Sequence, residues 1–298
     1  MNVIVLGCNT VNGRAIMQQF IERDHLVHGT MHGNIHEFTY ISNDENAHYY
    51  GFIDAAEQPD VFDDIGKLFE FAEPDVVINC IDTSIPAYQD DISDKHTNLV
   101  VNAVFPHVIA KMCEISDAKF IQMSNALVFS GTNSQYSEFD IPDAMSLYGK
   151  TKYIGEIEDQ SHVTTLRCST FGRETTTHNG LFEQLATGSG KTLYGRLNVM
   201  SNPLTAAELA KIVVDIVEHY PVLPGVFNVG TRHAISEYRL MKTINDYFNF
   251  DVTVKPLYTS ESHNFVLDTN LFVDETGIVI PSLETMIHEF CRGYNNKR

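Results

Sequence analysis

Short runs of aliphatic and β-branched residues recur along this chain with amphipathic stretches between them, and that alternation predicts its layout. Asn2 to Leu6 is an apolar run that stops at a glycine, and Arg14 to Ile21 then carries helical periodicity, so the first residues read as strand, turn, helix. Further runs of the kind that fill a sheet buried on both faces follow at Leu26 to Gly29, Tyr50 to Ile53, Val76 to Asn79, Lys119 to Met123 and Val163 to Arg167. Strands alternating with helices predict an α/β fold: a doubly wound parallel Rossmann sheet with right-handed crossovers.

After Arg167 the rhythm loosens. A polar stretch (Glu174 to Gly180) and a glycine-rich one (Gly188 to Gly195) precede a helical run, Thr205 to His219, which Pro221 and Pro224 close. Val226 to Val229 reads as one more core strand, and Ser236 as the cap of a helix through Tyr247. The expected organisation is a dinucleotide-binding domain over residues 1–168 that also receives residues 200–230. A smaller interleaved C-terminal substrate lobe is expected over residues 169–298.

Composition narrows the partners. With 298 residues and 43% of them hydrophobic, the chain can bury a large core. Its 39 acidic and 20 basic residues give a net charge of −19, which repels nucleic acid and anionic membranes at long range. A negatively charged ligand must then be held by backbone N–H groups and a few placed cations. Cys8, Cys80, Cys113, Cys168 and Cys291 are scattered and never in CxxC spacing, which points to neither a disulfide framework nor a metal site and suits a reducing cytoplasm. No signal-like or membrane-spanning run is read, so a cytoplasmic protein with no membrane contact is expected.

The turn after the first strand carries the first candidate chemistry. Gly7, Thr10 and Gly13 stand at the glycine positions of a GxxGxxG turn, making this stretch, with Asn9 and Val11 in it, a candidate pyrophosphate cradle. Thr10 replaces the middle glycine, and its hydroxyl is expected to donate a compensating hydrogen bond. The end of the second strand reads His28, Gly29, Thr30, Met31, His32, with no acid for a ribose 2′-hydroxyl. That tilts the cofactor toward NADP, with His32 or Thr30 meeting the extra phosphate. Asp54 is placed either to accept from an adenine amine or to cap a helix.

Tyr148 and Lys152 lie four apart in SLYGKTKYIGE, so on a helix both project from one face. A phenol near pKa 10 handles a proton poorly at neutral pH unless a nearby ammonium favours its phenolate. Tyr238 and Lys242 repeat the spacing, but Tyr148 follows the strand at Lys119 to Met123, at the carboxyl edge where open α/β sheets bind ligands. Tyr238 is read as a packing residue.

These residues, together with PDVVIN (Pro74 to Asn79), MSNALVFSG (Met123 to Gly131), LYGKTKYIGE (Leu147 to Glu156), LRCSTFG (Leu166 to Gly172), LDTN and GIVIP, resemble the extended short-chain dehydrogenases and, within them, the dTDP-4-dehydrorhamnose reductase family. The resemblance implies reduction, with NADPH or NADH, of the 4-keto group of a nucleotide-linked 6-deoxy sugar. Tyr148 would protonate the developing alkoxide, and Lys152 would bind the nicotinamide ribose and lower the Tyr148 pKa. Cys80, Ile81 and Asp82 would line the cofactor and Asn179 would meet the substrate. The family's catalytic Ser or Thr falls on Asn125, whose amide can donate to a carbonyl oxygen but cannot relay a proton. Ser124 is adjacent but belongs to the opposite face of a regular strand. Alternatives are a catalytically weak or inactive NADP-binding homologue acting as a regulatory subunit, as some relatives do with methionine adenosyltransferase, and a nucleotide-sugar epimerase. The partner expected is a nucleotide-sugar substrate, and a homodimer is the assembly considered.

Overall fold

Val3 and Val5 pack on one side of the first strand and Ile4 and Leu6 on the other, all four fully buried, so the strand is covered on both faces. A computed structural model describes residues 1–32, 44–51, 53–55, 60–83, 95–174, 180–220 and 223–295 of the chain. In chain order β1 (Asn2–Leu6) leads into α1 (Val11–Glu22), β2 (Leu26–Thr30) and β3 (Ala47–Tyr50). There follow α2 (Val61–Ala72), β4 (Val76–Asn79), and a continuous helical stretch formed by α3 (Lys95–Thr97), a π-helical segment (Asn98–Val104) and α4 (Phe105–Ile115). Next come β5 (Lys119–Ser124), α5 (Leu147–Ile154) and β6 (Val163–Cys168).

The second half holds β7 (Thr170–Phe171), α6 (Leu181–Ala186), β8 (Thr192–Arg196), β9 (Val199–Ser201), β10 (Leu204–Thr205), α7 (Ala206–His219) and β11 (Gly225–Val229). It ends with β12 (Ile235–Ser236), α8 (Glu237–Phe248), β13 (Thr253–Leu257), β14 (His263–Phe265), α9 (Asn270–Thr276) and α10 (Leu283–Asn295).

Seven strands form one sheet in the order β11-β6-β5-β4-β1-β2-β3, every pairing parallel. Helices α1 and α7 bury Ile16, Phe20, Val213 and Val217 on one face, while α2 and α4 bury Ile65, Phe69, Phe105 and Ile109 on the other. The order in which strands are added reverses between β1 and β4, a switch point that opens a crevice at their carboxyl ends. The later strands make small sheets beside this edge: β10 with β7, β13 with β8, and β9 between β12 and β14. β11 returns to the central sheet beside β6, and α7 packs on α1, so this stretch belongs to the first layer system.

One expectation is corrected. The third strand lies at Ala47–Tyr50, not at Tyr50 to Ile53: β3 is an edge strand, partly exposed, and needs no continuous apolar run. The glycine-rich stretch holds a strand, β8, because Gly195 lets the α8 backbone close in; a β-carbon there would come 2.5 Å from the Tyr238 Cα. Ser236 does cap α8, accepting from the Arg239 N–H at 3.3 Å.

Candidate active site

Gly7 leaves β1 with φ of +79°, a conformation suited to glycine, and a β-carbon on it would come 3.0 Å from the Ile81 nitrogen. A β-carbon on Gly13 would lie 2.2 Å from the Gly7 carbonyl oxygen. Both glycines are therefore required by close backbone approach. Thr10 is the N-cap of α1: its hydroxyl accepts from the Gly13 N–H at 3.0 Å and donates to the Gly7 carbonyl at 2.9 Å. The expected donation to a phosphate is thereby corrected, since the proton closes the turn on itself. Val11 begins a helix whose first-turn N–H groups lack intrahelical partners, so the turn fits an anionic pyrophosphate.

Beyond the turn, Asn9 donates its amide to the His32 carbonyl at 3.4 Å. His32 is exposed and pairs with Asp54 at 3.1 Å. Thr30 is fully buried and accepts from the Gly7 N–H at 3.2 Å, which removes its hydroxyl from the expected meeting with a 2′-phosphate.

The loop after β4 is shaped by Asn79, whose side chain donates to Gln122 at 2.9 Å and accepts from the Ile81 N–H at 3.1 Å. Thr83 then bonds Asn98 and Asn102, both buried in the π-helical segment, and Asn102 reaches Thr151 of α5 at 3.3 Å. These asparagines, which the sequence reading passed over, tie the loop carrying Asp82 to the helix carrying Tyr148. A buried polar pair four apart in an apolar helix was the available signal.

Tyr148 and Lys152 share α5, which Ser146 caps by accepting from the Gly149 N–H at 3.1 Å. Asn125, at the end of β5, caps a short 3₁₀ turn (Ala126–Val128) by accepting from the Leu127 N–H at 2.9 Å. Its amide nitrogen donates to the Tyr148 phenol at 2.5 Å. The phenol in turn donates to Asp82 Oδ2 at 2.8 Å, and that oxygen lies 3.7 Å from the Lys152 ammonium. Lys152 is only 2% exposed and donates to the Met123 carbonyl at 2.9 Å. Ser124 also lines the cleft, but its hydroxyl is engaged elsewhere: it donates to Glu156 at 2.6 Å, and Glu156 holds Arg167 at 2.6 and 2.8 Å in a buried pair.

Burial raises the Tyr148 pKa well above the usual tyrosine range; the Asp82 charge and its hydrogen bond add to this, while the Asn125 donation opposes it. The expected lowering by Lys152 is thus corrected: Asp82 stands between ammonium and phenol and offsets the positive charge. A cleft of about 300 Å³ runs from Thr10 and Val11 past Ile81 and Asp82 to Asn125 and Tyr148, so the glycine turn and the phenol open onto one space. Asn179 lies outside the described residues. The repeated spacing at Tyr238 and Lys242 sits on α8, where Lys242 pairs with Asp246 at 3.2 Å. No helix among the described residues is long and apolar enough to cross a membrane.

Comparison with known proteins places the chain in a family. A family model described as RmlD substrate binding domain matches residues 1–294. Methionine adenosyltransferase 2 subunit beta of Danio rerio is 24% identical over 261 residues, covering 83% of this chain and 74% of that protein. Among solved structures, dTDP-4-dehydrorhamnose reductase from Bacillus anthracis str. Ames in complex with NADP superposes with a TM-score of 0.76 at 19% identity, covering 98% of each chain. The Bordetella bronchiseptica enzyme WbmG in complex with NAD and UDP gives 0.78 at 14% identity, covering 99% of this chain and 94% of that one. At such identities the structural likeness shows the fold alone.

Proposed function

The chain belongs to the RmlD substrate-binding family of the extended short-chain dehydrogenases/reductases, and on that premise we propose that it reduces the 4-keto group of a nucleotide-linked 6-deoxy sugar with NADPH or NADH. The observation that carries this reading is the Tyr148 phenol, gripped by Asn125 at 2.5 Å, in the same cleft as the glycine turn. The reduced nicotinamide, when bound, supplies a hydride.

The remaining work falls to the chain's own residues. Tyr148 gives its proton to the oxygen that becomes an alkoxide, a contribution of about a hundredfold or more for a positioned donor. Asn125 holds the phenol oxygen in place and shares its amide protons with the developing charge. Lys152, fixed by Met123, presents a cation at the cofactor end. Because the whole molecule is strongly acidic, the nucleotide's phosphates are met by local donors and not drawn in by the global field. His32, just after β2, is exposed and pairs with Asp54, so the proposal extends to either cofactor.

The test mixes purified protein with NADPH or NADH and a dTDP- or UDP-4-keto-6-deoxy sugar and follows the loss of the reduced nicotinamide's absorbance. Oxidation by the wild type and its near absence in Tyr148→Phe are expected; equal rates in the two remove Tyr148 from the mechanism. A second reading, a cofactor-binding subunit without turnover, is favoured by Asn125 standing where the family carries a hydroxyl and by the name of the Danio rerio relative. Cofactor binding without oxidation for any keto sugar supports it.

A further inference from the structure

The Tyr148 phenol has one proton and two lone pairs, and the structure shows where they go. The Asn125 amide nitrogen has only protons to give, so across their 2.5 Å contact the phenol oxygen accepts. Its own proton goes to Asp82 Oδ2 at 2.8 Å. The other carboxylate oxygen, Oδ1, is shielded from solvent and has no hydrogen-bond partner among the described residues.

The charged and titratable groups around the phenol are few. Lys152 comes from α5, Asp82 and Cys80 from the loop after β4, and Cys168 from the end of β6. Both thiols are pushed up by burial and stay neutral through the physiological range. The contest is therefore between the ammonium of Lys152 and the carboxylate of Asp82. Asp82 makes the direct hydrogen bond to the phenol, and the same oxygen engages the ammonium at 3.7 Å. Ionising Tyr148 would break the first contact and place two anions side by side in a buried cleft.

Resting on the reductase reading above, we propose that Asp82 is a proton-positioning residue that commits Tyr148 to its protonated form, so that the site supplies a proton to an alkoxide and does not draw one from an alcohol. In that step hydride forms the new C–H bond, the carbonyl π pair moves onto oxygen, and the phenol O–H breaks as the alcohol O–H forms. A proton from solvent, the one proton that the overall reduction consumes, then returns to the phenolate. The transfer gives up the hydrogen bond to Asp82 and leaves a phenolate beside that carboxylate, but an alkoxide is a stronger base than a phenolate, so it still runs toward the substrate. Oxidation of an alcohol needs the phenolate at the start, which Asp82 disfavours.

The experiment labels the tyrosine ring carbon that bears oxygen with ¹³C, assigns the Tyr148 signal by its loss in Tyr148→Phe, and titrates the cofactor-free protein. In Asp82→Asn the Tyr148 signal is expected to shift to the phenolate position at least about one pH unit below the wild type, a tenfold easier loss of the proton. In the same variant the alkaline limb of kcat/KM for reduction should move down by the same interval. Asp82→Ser, with folding read by circular dichroism, provides a second variant. An Asp82→Asn signal that follows the wild type, whether both shift together or neither shifts, overturns the proposal. The titration needs neither cofactor nor substrate, so a protein inactive toward every keto sugar sinks the reductase reading separately.

Discussion

Asn125 is held at both ends: its carbonyl accepts from the Leu127 N–H at 2.9 Å while its amide donates to the Tyr148 phenol at 2.5 Å. The first bond fixes which end of the amide faces the phenol, so the donor is oriented before any ligand arrives. Replacing it by alanine removes both the orienting donor and the cap. Asn125→Ala should lower kcat by about a hundredfold, the scale for loss of one preorganised donor, with cofactor Kd little changed. Asn125→Ser should fall between alanine and wild type. Steady-state kinetics with fluorescence titration of NADPH check both.

Ser124 makes the opposite case. Its hydroxyl serves Glu156, which keeps two hydrogen bonds to Arg167 when the serine is gone. Ser124→Ala should cost about 1–3 kcal/mol of stability, as for one hydrogen bond to a buried charge. Its kcat/KM should stay within about threefold of wild type, because no transition-state contact is removed. Denaturant unfolding and kinetics on one preparation separate the two effects; a hundredfold loss of kcat/KM would place Ser124 in the chemistry.

Gly13→Ala tests the dinucleotide cradle. The added carbon would meet the Gly7 carbonyl oxygen at 2.2 Å, backbone against backbone, so the turn must open. A cost of about 1–3 kcal/mol in stability is expected from such overpacking. A rise of about tenfold or more in Kd for NADH and NADPH should accompany it if that turn holds the pyrophosphate. Thermal melts and fluorescence titration read the two.

Four buried thiols predict alkaline lability. Burial pushes Cys8 and Cys168 up to about 12, and raises Cys80 and Cys113 as well. A thiol whose folded pKa is raised stabilises the fold fully below its unfolded pKa of about 8.5 and loses that contribution as pH climbs toward the folded value. Each therefore removes about 1.4 kcal/mol per pH unit within that window. Unfolding free energy should be flat up to about pH 8 and fall steeply above about pH 9, with Cys113→Ala reducing the slope by roughly a quarter. Urea unfolding across that range is the check; an unchanged slope in the variant contradicts it.

The central sheet was legible because its strands are buried on both faces and so write continuous apolar runs, as at Val76 to Asn79. Edge strand β3 was misplaced for the converse reason, since one open face lets His48 and Tyr49 stand where aliphatics were sought. Tyr148 and Lys152 were legible because a helix imposes their spacing, whereas Asn125 came only from the resemblance to the family. The meeting of Asp82 with Tyr148 was not: the residues are 66 apart in sequence, and only the folded loop after β4 turns that carboxylate onto the phenol. Thr10 shows the same limit, because its type suggested a donor but not that the Gly7 carbonyl would claim the proton.

The most direct test of the account is the fate of the hydride. With NAD(P)H deuterated at its reactive carbon and a dTDP-4-keto-6-deoxy sugar, the wild type should yield a product carrying deuterium at the former carbonyl carbon. Tyr148→Phe should form it at least about a hundredfold more slowly while still binding cofactor. No deuterated sugar from the wild type, or equal formation by both proteins, would contradict it.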